Sequence, residues 1–142
     1  MLAKTRRRKE QCLSRFISYF STQGKSIGGV KTEIREGKFV QIKNGSNQFI
    51  VFAPTSPFTY HSHIVAKFAE DMGIMTFETD KGIEFRDTGW KIIGGGKMRV
   101  DSEARKVEVW GASQAYGQFD RTIEHELGNS VELKDYELSI NS

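Results

Sequence analysis

Three short stretches carry residue types from which a reaction centre could be built: Tyr60-His61-Ser62-His63, Gly94-Gly95-Gly96-Lys97 and Gly111-Ala112-Ser113-Gln114-Ala115-Tyr116-Gly117. The third follows the strand-like run Val107-Glu108-Val109-Trp110 and precedes a helical pattern. A strand, a loop of small residues and a helix start together aim several main-chain N–H groups at one point. The helix dipole adds positive potential there, so an anion such as phosphate is favoured. Ser113 can add a hydroxyl. An ordinary strand-to-helix turn has the same composition, and the residues alone leave both readings open.

Three consecutive glycines mark a bulge or a place where backbone approaches something closely. Lys97 begins a strand behind them and can bring a cation to the same site; a flexible turn with a solvated lysine is the plainer alternative. In the first stretch, a helix starting near Tyr60 puts His61 three and four residues before Ile64 and Val65, facing the body of the protein, and His63 beside Lys67 and Glu70 on the wet side. An imidazole at a helix N-terminus feels positive potential and stays neutral near pH 7. Neutrality is what a nucleophile or general base requires. A hydrogen-bonded structural histidine is the plainer reading of the same residue.

Neither a metal nor a cofactor is expected. His61 and His63 diverge on a helix, His125 is remote in sequence, and Cys12 is the only cysteine. No Walker loop, His-Glu-x-x-His or cysteine-phosphatase loop occurs. Glu124 and Glu126, two apart on a helix, read as a solvated face.

The elements that must position these residues are read from periodicity. Leu13, Phe16, Ile17 and Phe20 predict an amphipathic helix over Lys9–Gln23, appended to the body by the break at Gln23–Gly29. Strands are expected at Lys38–Lys43 and Phe49–Ala53, joined through Asn44-Gly45-Ser46-Asn47. A helix from about Tyr60 stops at Gly73. Further strands are expected at Ile74–Glu78, Ile83–Arg86, Trp90–Ile93, Lys97–Val100 and Lys106–Trp110, with a turn at Asp101–Arg105. A second helix fits Gln118–Leu127, and Tyr136–Ile140 closes the chain as a strand. The order predicts an α/β (α+β) domain, a mixed sheet with helices packed on it, spanning 30–142 behind an N-terminal segment 1–29.

The bulk properties agree with one domain: 142 residues, 37% hydrophobic and 27% charged. No apolar stretch reaches the roughly 20 residues a membrane span needs. The single cysteine and the absence of a signal-like apolar region make the cytoplasm the expected location. Lys4, Arg6, Arg7, Arg8 and Lys9 crowd the start; without them and Glu10 the formal charge falls from +3 to −1. A near-neutral body argues against specific nucleic-acid binding. Weak attachment of the basic helix to an anionic lipid surface is the one membrane role left to it.

Ile93-Gly94-Gly95-Gly96-Lys97, the run Lys106 to Trp110, Ser113-Gln114-Ala115-Tyr116-Gly117 and, upstream, Tyr60-His61 resemble the Janus/Ocnus family over roughly Lys38 to the C-terminus. The resemblance implies a six-stranded mixed sheet flanked by two helices. It also implies a metal-independent phosphohistidine phosphatase whose partners are histidine-phosphorylated proteins. It puts the catalytic histidine, as nucleophile or general base, at His61, with Tyr60 beside it. The phosphate-binding loop falls at Ser113, Gln114 and Ala115, and the basic residue after the glycines at Lys97. Three positions depart from the pattern. Lys97 replaces an arginine and loses its bidentate fork; Gln48 stands where a lysine is expected, thinning the positive field; His63 stands where an acidic residue is frequent. A non-catalytic phosphoryl-binding module on the same scaffold, or an adaptor working through the basic N-terminus, is the alternative.

Overall fold

A computed structural model describes residues 14–20, 26–27, 30–31 and 33–141. In chain order its elements are β1 (Ser14–Ser18), β2 (Ser26–Ile27), β3 (Val30–Lys31), β4 (Ile34–Asn44), β5 (Asn47–Pro54), α1 (His61–Met72), β6 (Thr76–Glu78), β7 (Ile83–Phe85), β8 (Trp90–Asp101), β9 (Lys106–Trp110), α2 (Ile123–Gly128) and β10 (Glu137–Asn141). Six strands form one mixed sheet in the order β1-β5-β4-β8-β9-β10. The two outer pairings, β1 with β5 and β10 with β9, are parallel, and the inner ones are antiparallel. Two small antiparallel pairs, β2–β3 and β6–β7, stand apart from it.

The centre follows directly from local chemistry. β4 and β5 meet through a two-residue turn, Asn44 pairing with Asn47, and Gly45 takes the positive φ of 63° that such tight hairpins require. Alternation along the strands then divides the core. Phe39, Ile50, Phe52, Met98, Val100, Val107 and Val109 pack with Phe119, Ile123 and Leu127 of the α2 region. Val40, Ile42, Val51 and Ala53 pack with Ile64, Val65 and Phe68 of α1. Burying both faces of the central strands explains why β5 is continuously apolar from Phe49 to Ala53. α1 buries His61, Ile64, Val65, Phe68 and Ala69, the i, i+3, i+4, i+7, i+8 stripe of a helix lying on a sheet. It stops at Gly73 in the left-handed region, φ 72°.

Four expectations are corrected. The segment expected as an appended helix supplies, in its described part, the edge strand β1: Ser14–Ser18 runs parallel to Gln48–Phe52. Phe16 and Phe20 join the α2-side core while Ile17 and Tyr19 join the α1 side. With apolar side chains partly buried on both faces, the segment shows no clean two-residue alternation and mimics a helical stripe. Residues 9–13 and 21–23 of that expectation, and the basic run from Lys4, lie outside the described residues.

The two strands expected around the glycines are one, β8, with Gly94–Gly96 inside it. The second helix is only Ile123–Gly128, because Gln118 is drawn into a bridge with Gly95 and Asp120 is held by Gln41. Glu126 is buried at 2% exposure, not solvated, where Gln41 Nε2 reaches its Oε2 at 3.1 Å. Among the described residues no helix is long and apolar enough to cross a membrane.

Candidate functional site

The glycine run works by close approach. A Cβ on Gly94 would lie 2.1 Å from the carbonyl oxygen of Gln118. One on Gly95 would lie 2.6 Å from that of Phe39 and 2.9 Å from His61 Cδ2. Only glycine lets the 117–119 segment and the His61 ring rest against β8 at this depth. A bulge accompanies the run: Gln41 pairs with Gly94 but Ile42 with Ile92, leaving Ile93 unmatched.

His61 opens α1 and is 8% exposed. Its Nε2 lies 3.0 Å from the carbonyl oxygen of Gly96. A carbonyl can only accept, so Nε2 carries the hydrogen, and the neutral ring is left with Nδ1 as its one basic nitrogen. Burial lowers the His61 pKa below the ordinary 6.5; the Gly96 bond opposes this, and the charges of Lys38 and Lys97 lower it further. The neutrality expected from the helix terminus is thus favoured first by desolvation and then by two cations.

Those cations face each other. Lys38 on β4 and Lys97 on β8 are register partners at the centre of the sheet. Phe39 and Met98 next to them turn towards α2, so both lysines point to the side on which α1 begins. Like charges directly opposite on adjacent strands are destabilising. Neither lysine has an ion pair among the described residues.

The loop after β9 folds back on itself. Ser113 N–H donates to Gly117 O (3.0 Å), Gly117 N–H to Ser113 O (2.8 Å) and Tyr116 N–H to Ser113 Oγ (3.1 Å). Gly95 N–H donates to Gly117 O at 3.1 Å, hanging the loop on β8. Gly111 and Gly117 reverse the chain at φ 78° and 86°. The amides of Gln114 and Ala115 take no part in these bonds. The expected helix dipole is absent, since α2 starts at Ile123; the loop's donors come from its own closure.

Every site residue anticipated from the sequence borders one open cleft of about 940 Å³: Tyr60, His61, Lys97, Ser113, Gln114 and Ala115. Tyr60, 63% exposed, forms the rim and caps α1, its N–H donating to His63 Nδ1 at 3.3 Å. Ser113 is buried and spends its Oγ on the loop itself. Gln48 is not at the cleft; it pairs with Ser14 and Lys43 at the other end of β5. The cation that sequence reasoning missed is Lys38. It occupies a polar position of an alternating strand, and only the register with β8 reveals its partner. Asp80 and Lys81, from the turn between β6 and β7, also line the cleft. Among the described residues no group of three or more His, Cys, Asp and Glu side chains could hold a metal ion.

Comparison with known proteins agrees with the motifs. A model of the Janus/Ocnus family (Ocnus) matches residues 27–137. The sex-regulated protein janus-B of Drosophila orena is 25% identical over 134 residues, covering 92% of this chain and 91% of its own. That of Drosophila melanogaster is 25% identical over 132 residues, covering 90% and 89%.

Proposed function

This chain belongs to the Janus/Ocnus family, and from that premise we propose that it is a metal-independent protein phosphohistidine phosphatase with His61 as its reactive group. The janus-B relatives are named for sex regulation and for no reaction, so the reading rests on the site. One observation carries it: a neutral imidazole whose Nε2 is spent on Gly96 shares a cleft with two facing lysines that have no ion pair among the described residues.

In this reading Lys38, Lys97 and the amides of Gln114 and Ala115 hold the phosphoryl oxygens as negative charge spreads over them. Two routes use the same geometry. Nδ1 of His61 attacks phosphorus, the P–N bond breaks, and the departing imidazole takes up a proton; water then cleaves the phosphorylated His61. In the other, Nδ1 removes a proton from water, the resulting hydroxide attacks phosphorus as the P–N bond breaks, and the departing imidazole takes up that proton, returning His61 to its neutral form. A protonated imidazole leaves readily, so the site needs positioning and charge rather than a strong electrophile. Lysine supplies point charges where a planar fork would give two fixed bonds.

The test is turnover of a phosphohistidine peptide, in the presence of a chelator, by wild type and His61→Ala. Wild type turns over and the variant falls by a factor of about 100 or more. Equal rates remove His61 from the mechanism. Tight binding without turnover by wild type replaces the enzyme with a phosphoryl-binding module. Rapid quench into alkali separates the two routes, since only the first accumulates radiolabelled phosphate on the protein.

A further inference from the structure

The β6–β7 hairpin is too small to stand alone, since an isolated two-stranded ribbon is marginal in water. Three features hold it. Phe85 is buried against Phe68 and Trp90. Arg86 N–H donates to Met75 O at 2.9 Å. The third feature is Tyr116, whose hydroxyl donates to Ile83 O at 2.6 Å and accepts from Ile83 N–H at 3.0 Å. Gly82 lets this contact close: a Cβ there would sit 3.0 Å from the Tyr116 hydroxyl and 3.3 Å from Ala115 Cβ. Tyr116 thus clasps the hairpin to the loop that presents the Gln114 and Ala115 amides.

The tip is itself ordered by side-chain bonding. Thr79 N–H donates to Gly82 O at 2.7 Å, and Thr79 Oγ1 accepts from Lys81 N–H at 3.2 Å and Gly82 N–H at 3.1 Å. The turn spends its main-chain groups internally and leaves the side chains of Asp80 and Lys81 exposed on the cleft. Neither has an ion pair among the described residues.

The cleft is larger than a phosphoryl group requires. Its volume of about 940 Å³ is at the upper end of the roughly 300–1,000 Å³ that encloses a drug-sized ligand. Chain on either side of a phosphorylated residue therefore also enters it. Lys38, Lys81 and Lys97 outnumber Asp80 among the charged linings, so that chain meets a net positive wall.

Resting on the phosphatase reading above, we propose that the β6–β7 hairpin is a substrate-selecting wall, positioned by Tyr116, whose Lys81 favours polypeptides with acidic residues beside the phosphohistidine.

The experiment uses the full chain and two phosphohistidine peptides that differ only in acidic or basic flanking residues, and reads the ratio of their kcat/KM values. Wild type prefers the acidic peptide, and the preference shrinks as salt is raised. Lys81→Glu lowers the ratio about five- to tenfold, and Asp80→Lys raises it. Tyr116→Phe brings the ratio towards one although Lys81 is still present; a merely structural role would slow both peptides equally. A Lys81→Glu ratio equal to wild type overturns this proposal and leaves the phosphatase reading intact. Failure of wild type to hydrolyse either peptide overturns both.

Discussion

His61 Nε2 stands 3.0 Å from the carbonyl oxygen of Gly96, so the first residue of α1 is tied to the main chain of β8. That bond selects the tautomer and sets the ring against Gly95, where an added Cβ would come within 2.9 Å of it. Gly95→Ala therefore displaces the imidazole as well as crowding Phe39 O. Activity on a phosphohistidine peptide is expected to fall about 100-fold, the scale of an ångström misplacement. Parallel kcat/KM and thermal unfolding measurements check it; a stable variant of full activity refutes the anchoring role.

The acid limb of the rate–pH profile follows from the direction of the His61 shift. Its pKa lies below 6.5, so the reactive neutral form persists below that pH and is lost only on further acidification. Lys97→Met and Lys38→Met each remove a charge that lowers the His61 pKa, so both move the limb to higher pH. NMR titration of the His61 ring alongside the profile tests this; a limb that stays in place separates the lysines from His61.

Ser113 acts through the shape of its loop. Ser113→Ala removes the acceptor of Tyr116 N–H, a loss of about 1 kcal/mol. Spread into loop mobility, this raises KM for the phosphorylated substrate by about fivefold with a smaller change in kcat. Steady-state kinetics would show otherwise if Ser113 met the phosphoryl group itself, since kcat would then carry the loss.

Glu126 sets a pH dependence of stability away from the cleft. Burial raises its pKa above 4.5, against the bonds from Gln41 and Thr122 and the charge of Lys43; its Oε1 is buried with no partner among the described residues. A raised acid contributes stability that is complete below the unfolded pKa of 4.5 and lost as pH climbs through the folded one. Glu126→Gln escapes that loss. Its Tm is expected to exceed wild type by about 3–5 °C at pH 8, corresponding to about 1 kcal/mol, with the gap closing towards pH 4.5. A gap constant across that range contradicts the assignment.

Residues 14–20 are part of the sheet and its core. Phe16 and Phe20 pack on Phe52 at ring separations of 5.9 and 4.5 Å, and Arg35 Nη1 donates to Ser18 Oγ at 3.1 Å. Deleting residues 1–20 uncovers these contacts and the β5 edge, and is expected to cost about 3 kcal/mol or more. Denaturant unfolding measures it. An unchanged midpoint would restore the picture of a dispensable appendage.

Much of the fold was legible because local signals and tertiary packing agreed. The Asn44–Asn47 turn, the α1 stripe ending at Gly73 and the alternation of Lys106–Trp110 each read as they fold. Where they disagreed, packing won. Phe16 and Phe20 are spaced like a helix, but Phe16 lies on the edge strand β1 and Phe20 just beyond it, both packed on Phe52. Gly94–Gly96 read as a bulge or close approach, which they are, but between two strands, where the structure runs one strand, β8, through them.

What the amino-acid order determined by itself was the inventory: a histidine at a helix start, a small-residue loop, a lysine after glycines. Their chemistry follows from residue type and near-neighbour spacing. The tertiary structure alone decided that these groups line one cleft, that Lys38 opposes Lys97, and that Glu126 lies in the core. Strand register and the closeness of backbones are contacts between positions far apart in sequence, and no short-range pattern encodes them.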